Sequence, residues 1–164
     1  MAQHHEDLNY ERVVASLAPA KALAIGIYGE SVASYRYRVL SEKLPEGPLQ
    51  AVFLDMANEE KGHHSLLEAL LKKHYPGRDF VLGPEDKELV IVGPRMLEVA
   101  GTKSLAPALK MIYESEMLTG RFYAAFHKAT PNEEFKPILK EMGDECFDHA
   151  AKLLKLDTLP DRRR

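Results

Sequence analysis

The first half of this chain recurs in its second half, and many of the residues that recur are of types that bind metals. Glu30, Tyr37, Glu60 and His63 stand 86 positions (116 − 30) ahead of Glu116, Tyr123, Cys146 and His149, with no gap needed. The same offset pairs Ala22 with Ala108, Leu23 with Leu109, Pro45 with Pro131, Met56 with Met142, Glu59 with Glu145, Leu67 with Leu153 and Leu70 with Leu156. A Glu on one helix, then a Glu and a His three residues apart on the next, is the half-site of a dinuclear carboxylate centre. One position breaks the pattern: Cys146 stands where Glu60 predicts a second glutamate.

Each half reads as a pair of helices. The first helix is expected over Pro19–Leu44, with Pro19 in the first turn and Pro45-Glu46-Gly47-Pro48 as its stop. The second is expected over Pro48–Tyr75, where Val52, Phe53, Met56, Leu66, Leu67 and Leu70 recur at helical spacing before Pro76-Gly77. The third is expected from Ser104, as N-cap, to Ala129. The fourth is expected from Asn132 to Leu156, capped by Asn132 or Thr130, with Pro137 early enough to be tolerated. A short leading helix is expected near Asp7–Leu17. Short joins make antiparallel hairpins of residues 19–75 and 104–157.

Between the hairpins, residues 76–103 hold Gly77, Gly83, Pro84, Gly93, Pro94 and Gly101, with a short helix expected at Arg95–Ala100. Glu88-Leu89-Val90-Ile91-Val92 has strand composition, but a lone strand has no partner, so it is expected as extended crossover. Two hairpins and one long crossover make an all-α, ferritin-like four-helix bundle. The 164 residues suffice for one such domain with a substantial core.

Positions three apart on a helix share a face, so Glu60 and His63 project together, and Tyr37 lies two turns along from Glu30. Glu30 shares its stripe with Ile27 and Ala33, and Glu116 lies among Ile112, Met117 and Tyr123. A carboxylate on an inward apolar stripe is costly unless something neutralises it, and a buried cation does so for several at once. Carboxylate and imidazole ligands suit iron, manganese or zinc more than calcium, which takes only oxygen. An isolated Glu-x-x-His pair more often marks a solvated face, and Tyr37 or Tyr123 alone would be a core residue with a satisfied hydroxyl. Recurrence at one offset argues against both. His64 points about 100° away from His63 and is expected outside the centre or at the surface. His74 and His127 are expected on helix surfaces.

A net charge of −3 gives nucleic acid no basic surface to bind, and the Arg162-Arg163-Arg164 end reads as a solvated terminus. One cysteine excludes an internal disulfide and a four-cysteine metal site, and fits a reducing cytoplasm. The stretch Met1–Asp7 lacks the basic and apolar pattern of a signal peptide. No apolar run approaches the roughly 18 residues that cross a bilayer, so no membrane partner is expected.

Gly29-Glu30-Ser31 with Tyr37, Glu60-Lys61-Gly62-His63, Glu116 with Phe122-Tyr123, and His149 together resemble the rubrerythrin family of ferritin-like proteins, over about Ala18 to Leu156. The resemblance implies two metal ions inside the bundle, iron foremost, with manganese or zinc as alternatives. Glu30, Glu60, His63, Glu116 and His149 would be ligands. Glu60 and the carboxylate aligned with it would bind opposite metals, Glu30 and Glu116 would bridge or chelate, and Tyr37 and Tyr123 would support the site from just outside. It also implies reaction with peroxide or dioxygen, and a homodimer paired through a helix face. The rubredoxin-like domain of full-length rubrerythrins needs four cysteines, so electrons would come from a separate protein. Rubrerythrins proper carry an additional Glu one turn after the third-helix ligand, where this chain has Thr119. Three readings of Cys146 stand open: a thiolate ligand, replacement by a swung-in Glu145, or a weak second metal position. A metal protein that stores, senses or is merely braced by its metal is the alternative function.

Overall fold

The computed structural model describes residues 2–95 and 105–157, and no strand occurs among them. Six helices follow in order: α1 (Ala2–Ser16), α2 (Pro19–Lys43), α3 (Pro48–His74), α4 (Pro84–Lys87), α5 (Leu105–Ala129) and α6 (Phe135–Asp157). The four long helices form the two expected hairpins, α2 with α3 and α5 with α6. Proline opens both α2 and α3, where a missing N–H costs no helical bond. Leu44, forced out of the helical region by the proline that follows it, ends α2 at φ −91° and ψ 150°.

The fourth helix begins later than its sequence suggests. Thr130 Oγ1 accepts the Asn132 N–H at 3.2 Å, and Asn132 Oδ1 accepts the N–H groups of Glu134 and Phe135 at 2.9 and 3.4 Å. Both expected caps therefore act, but as turn formers that delay the helix to Phe135. The leading helix is longer than expected, and Tyr10 ties it down by donating to the carbonyls of Leu89 at 2.7 Å and Leu118 at 3.1 Å. Ser104, and the short helix expected from Arg95, fall on residues 96–104, outside the described residues.

The crossover differs from expectation. The run from Glu88 is not extended: the N–H groups of Glu88, Leu89, Val90 and Ile91 bond back to Pro84, Asp86 and Lys87, continuing the turn begun by α4. Pro84 at the first position and Asp86, which accepts the Gly83 N–H at 2.9 Å and pairs with Lys21 at 3.1 Å, favour this local coil over a strand without a partner. Val90 and Ile91 are buried, and Arg36 and Ser115 hold Val92 and Pro94 across the α2–α5 side of the bundle.

The core falls into two apolar clusters. One gathers Leu23, Ile25, Leu67, Phe122, Phe126, Phe135 and Leu139. The other gathers Leu40, Phe53, Met56, Leu109, Ile112 and Leu153. In α3, α5 and α6 a glutamate or histidine lies between the residues of the two clusters, Glu60 and His63, Glu116, and His149 respectively, and in α2 Glu30 lies within the last turn of the first cluster, just ahead of the second. Burial of each large apolar side chain on either side contributes about 1.5–3 kcal/mol, and that packing keeps a costly polar layer in place. No single helix among the described residues is long and apolar enough to cross a membrane.

Candidate metal centre

Five of the six ligand candidates converge in that layer, as two groups that share one residue. Glu30, Glu60 and His63 form the first and Glu60, Glu116 and His149 the second; within each, the ligand atoms lie within 4.8 Å of one another. Glu60 divides its oxygens between them. Oε2 lies 3.4 Å from His63 Nδ1, and Oε1 lies 2.6 Å from His149 Nδ1. Glu30 Oε2 is 3.6 Å from the same His63 nitrogen, and Glu116 Oε1 is 3.4 Å from that of His149. The resemblance implied that Glu30 and Glu116 would bridge or chelate. The geometry makes Glu60 the carboxylate common to both groups and leaves Glu30 and Glu116 with one each, the arrangement of chelating ligands.

Cys146 belongs to neither group. Its side chain is buried within the first apolar cluster, and its thiol is pushed well up by burial and by the charges of Glu116, Glu30 and Glu60. Glu145 does not take its place. It forms an ion pair with the outer nitrogen of His63, Nε2, on the side away from Glu30 and Glu60. Glu59 does the same for His149, at 2.6 Å. Each histidine is thus gripped from outside by a carboxylate of the opposite hairpin, which orients its ring and leaves Nδ1 facing inward. The sequence signal for this pair was its match at the common offset. What periodicity could not show was that these two glutamates cross between hairpins.

The tyrosines cross in the same way. Tyr37 donates to Glu116 Oε1 at 2.5 Å, and Tyr123 donates to Glu30 Oε1. Burial, reinforced by those carboxylates, raises both phenols well above their ordinary value, so they act as neutral donors. Thr119, at the position of the family's additional Glu, turns away to donate to the carbonyls of Val90 and Ser115, each at 2.8 Å. His64 lies toward the surface, 3.7 Å from Glu68, and His74 meets Glu134 at 2.8 Å, where it links the hairpins.

The acids of this layer demand positive charge. Burial and the neighbouring Glu60 push Glu30 up to about 8. Burial and Glu116 also act to raise Glu60, but bonds from Glu30, His149 and His63 more than offset them and hold it low. Burial opposes the charge on both histidines, yet the bonds to Glu30 and Glu60 raise His63, and those to Glu116 and Glu60 raise His149, each to about 11. Even so, Glu30 Oε2, Glu60 Oε1, His63 Nδ1 and His149 Nδ1 are buried without a properly directed hydrogen bond. Buried polar atoms rarely lack partners. Here the inward-facing atoms of four of the five grouped residues lack them together, and their donor set of carboxylate oxygens and imidazole nitrogens fits iron, manganese or zinc.

The rubrerythrin family model matches residues 21–157. In structure, the chain is similar to a hypothetical protein from Pyrococcus furiosus, with a TM-score of 0.74 and 23% identity over 87% of this chain and 90% of that one. It is also similar to a protein from Thermotoga maritima described as a ferritin-like diiron-carboxylate protein, with a TM-score of 0.64 and 19% identity over 86% of this chain and 95% of that one. These two likenesses speak for the fold. No curated protein matches the sequence.

Proposed function

The chain belongs to the rubrerythrin family, and on that premise we propose that it is a dinuclear metal protein, an oxidoreductase that reacts with peroxide or dioxygen at a di-iron or manganese–iron site. The observation that carries this reading is the division of Glu60 between two Glu/His groups, in which inward atoms of Glu30, Glu60, His63 and His149 lack a properly directed hydrogen bond among the described residues. Glu30 and His63 would hold one ion, Glu116 and His149 the other, and Glu60 both. Bound there, a metal pair supplies Lewis acidity and exchangeable electrons.

The remaining residues prepare the site. Glu59 and Glu145 keep the imidazoles turned inward. Tyr37 and Tyr123 neutralise part of the charge on Glu116 and Glu30 without competing as anions. The crossover closes the α2–α5 side, whereas Glu59 and Glu145 are 49% and 37% exposed on the α3–α6 side. A small oxidant and its protons would enter on that open side. With a single cysteine in the chain, electrons would come from a separate protein.

Protein produced with iron and manganese, analysed for metal and then mixed rapidly with peroxide after reduction, tests the reading. About two ions per chain and repeated oxidation and re-reduction are expected; less than about one ion per chain would count decisively against it. Metal storage, sensing or a structural metal is the second reading. It is favoured by Cys146, which stands where the repeat predicts a further carboxylate ligand. A single slow oxidation without re-reduction would select it.

A further inference from the structure

Arg36 is buried to 1% exposure in α2, beside the centre, and none of its hydrogen-bond partners among the described residues is a carboxylate. Nη1 donates to Ser115 Oγ at 3.0 Å, Nη2 to the carbonyls of Val92 at 2.9 Å and Pro94 at 2.7 Å, and Nε is buried without a partner among the described residues. Neutral acceptors alone are a poor return for burying a guanidinium, whose desolvation is several kcal/mol. Any side chain with an N–H could hold a crossover to two carbonyls. A fixed positive charge does something more if a second charge lies nearby.

Such a charge is present. Arg36, Ser115, Glu116 and Thr119 line one cavity of about 10 Å³, the space of about one water molecule. Arg36 also precedes Tyr37, whose hydroxyl bonds Glu116. The arginine is not part of the repeat, because Phe122 occupies its equivalent place (36 + 86) in the second hairpin. It therefore adds positive charge on one side of a centre that already lacks one carboxylate at Cys146.

We propose that Arg36 sets the oxidation state of the centre, its guanidinium disfavouring trivalent ions relative to divalent ones. The proposal rests on the metal-binding reading above. A nearby positive charge repels a bound cation in proportion to that cation's charge, so it weakens binding of a trivalent ion more than of a divalent one. The reduction potential rises accordingly, and the centre rests reduced until an oxidant arrives.

Potentiometric titration of the iron-loaded protein, with Zn²⁺ affinity measured beside it, separates this role from a purely structural one. Arg36→Met keeps the length of the stem but loses the charge. Arg36→Lys keeps the charge but loses the forked contacts to Val92 and Pro94. Ser115→Ala loosens the crossover and leaves the guanidinium in place. At an effective dielectric constant of about 20, one unit charge about 12 Å from the ion shifts the ferric-to-ferrous ratio about tenfold. That equals about 59 mV for one electron. Arg36→Met is expected to lower the potential by that amount and to tighten Zn²⁺ binding. Arg36→Lys and Ser115→Ala are expected to stay near the wild type.

Equal shifts in the Met and Lys variants would assign the effect to lost packing and overturn the proposal. So would a Met variant that binds Zn²⁺ and cycles its iron as the wild type does, which would leave the metal reading standing. A wild-type protein that takes up neither Zn²⁺ nor iron would instead sink the metal reading and the role of Arg36 with it.

Discussion

The two hairpins share most of their site residues but few others, and some of their differences lie where a single crossover passes. Both supply a glutamate, a tyrosine, a histidine and an outer carboxylate at matching positions, and the polar contacts run across the pseudo-symmetric pair. Three of their many differences bear on the centre and its surroundings: Gly29 against Ser115, Arg36 against Phe122, and Glu60 against Cys146. The first two divergences meet the crossover. A side chain at Gly29 would bring its Cβ within 3.2 Å of Val90, whereas Ser115 reaches out to accept the Val92 N–H at 3.0 Å. Two alike hairpins cannot both be served by one strap, so the side that receives it has been made unequal. The third divergence leaves Glu60 to serve both groups.

The largest expected effect tests that last inequality. Glu60→Ala removes the residue common to both groups. It is expected to weaken Mn²⁺ binding, read by calorimetric titration, by more than the roughly 10–100-fold typical of losing an outer partner. Cys146→Ala is expected to leave binding close to the wild type, and equal losses in the two variants would erase the distinction between the hairpins.

The next effect is one of pH on the metal-free protein. His63 and His149 hold their protons to about 11 when folded, against 6.5 when free, and Glu30 to about 8 against 4.5. The folded state therefore binds more protons than the unfolded one, and stability falls as pH rises above the free values. The contribution of Glu30 is complete only below 4.5 and is lost through about 8; that of the histidines is complete below 6.5 and is lost through about 11. Thermal melts should show a lower Tm at pH 9 than at pH 6, with bound Zn²⁺ flattening the difference. A metal-free Tm that rises over this range would contradict the proton-filled layer.

A smaller effect probes the likeness of the hairpins. Glu59→Gln and Glu145→Gln should each weaken metal binding by about 10–100-fold, and by similar factors, since each grips the other hairpin's histidine. A loss confined to one variant would show that the pair is symmetric in sequence only. The smallest concerns the strap. Ser115→Ala deletes contacts to Arg36 and Val92 and should lower stability by about 1 kcal/mol in denaturant unfolding.

Much of this was legible along the chain because local rules govern it. Prolines 19 and 48 open helices and Pro45 and Pro76 follow their ends, as the missing N–H and the steric demand of the ring require. Spacing at three and seven residues placed Glu60 with His63 and Glu30 with Tyr37 on common faces. The failures were non-local, lay in the crossover, or fell at the turn into α6. The segment from Glu88 carries strand composition, yet α4 and its backward bonds coil it, because Asp86 and Pro84 favour a turn and no neighbouring strand competes. The onset of α6 was misplaced because a cap residue and a turn residue look the same in sequence.

Recurrence and helical period decide that this chain is a pair of hairpins with buried acids and imidazoles, since both follow from covalent spacing along each helix. Partner choice depends on how the helices cross, and only the assembled bundle decides it. That crossing makes Glu60 common to both groups, turns Glu59 and Glu145 onto each other's histidines, and presses an arginine and the crossover against one side of the centre.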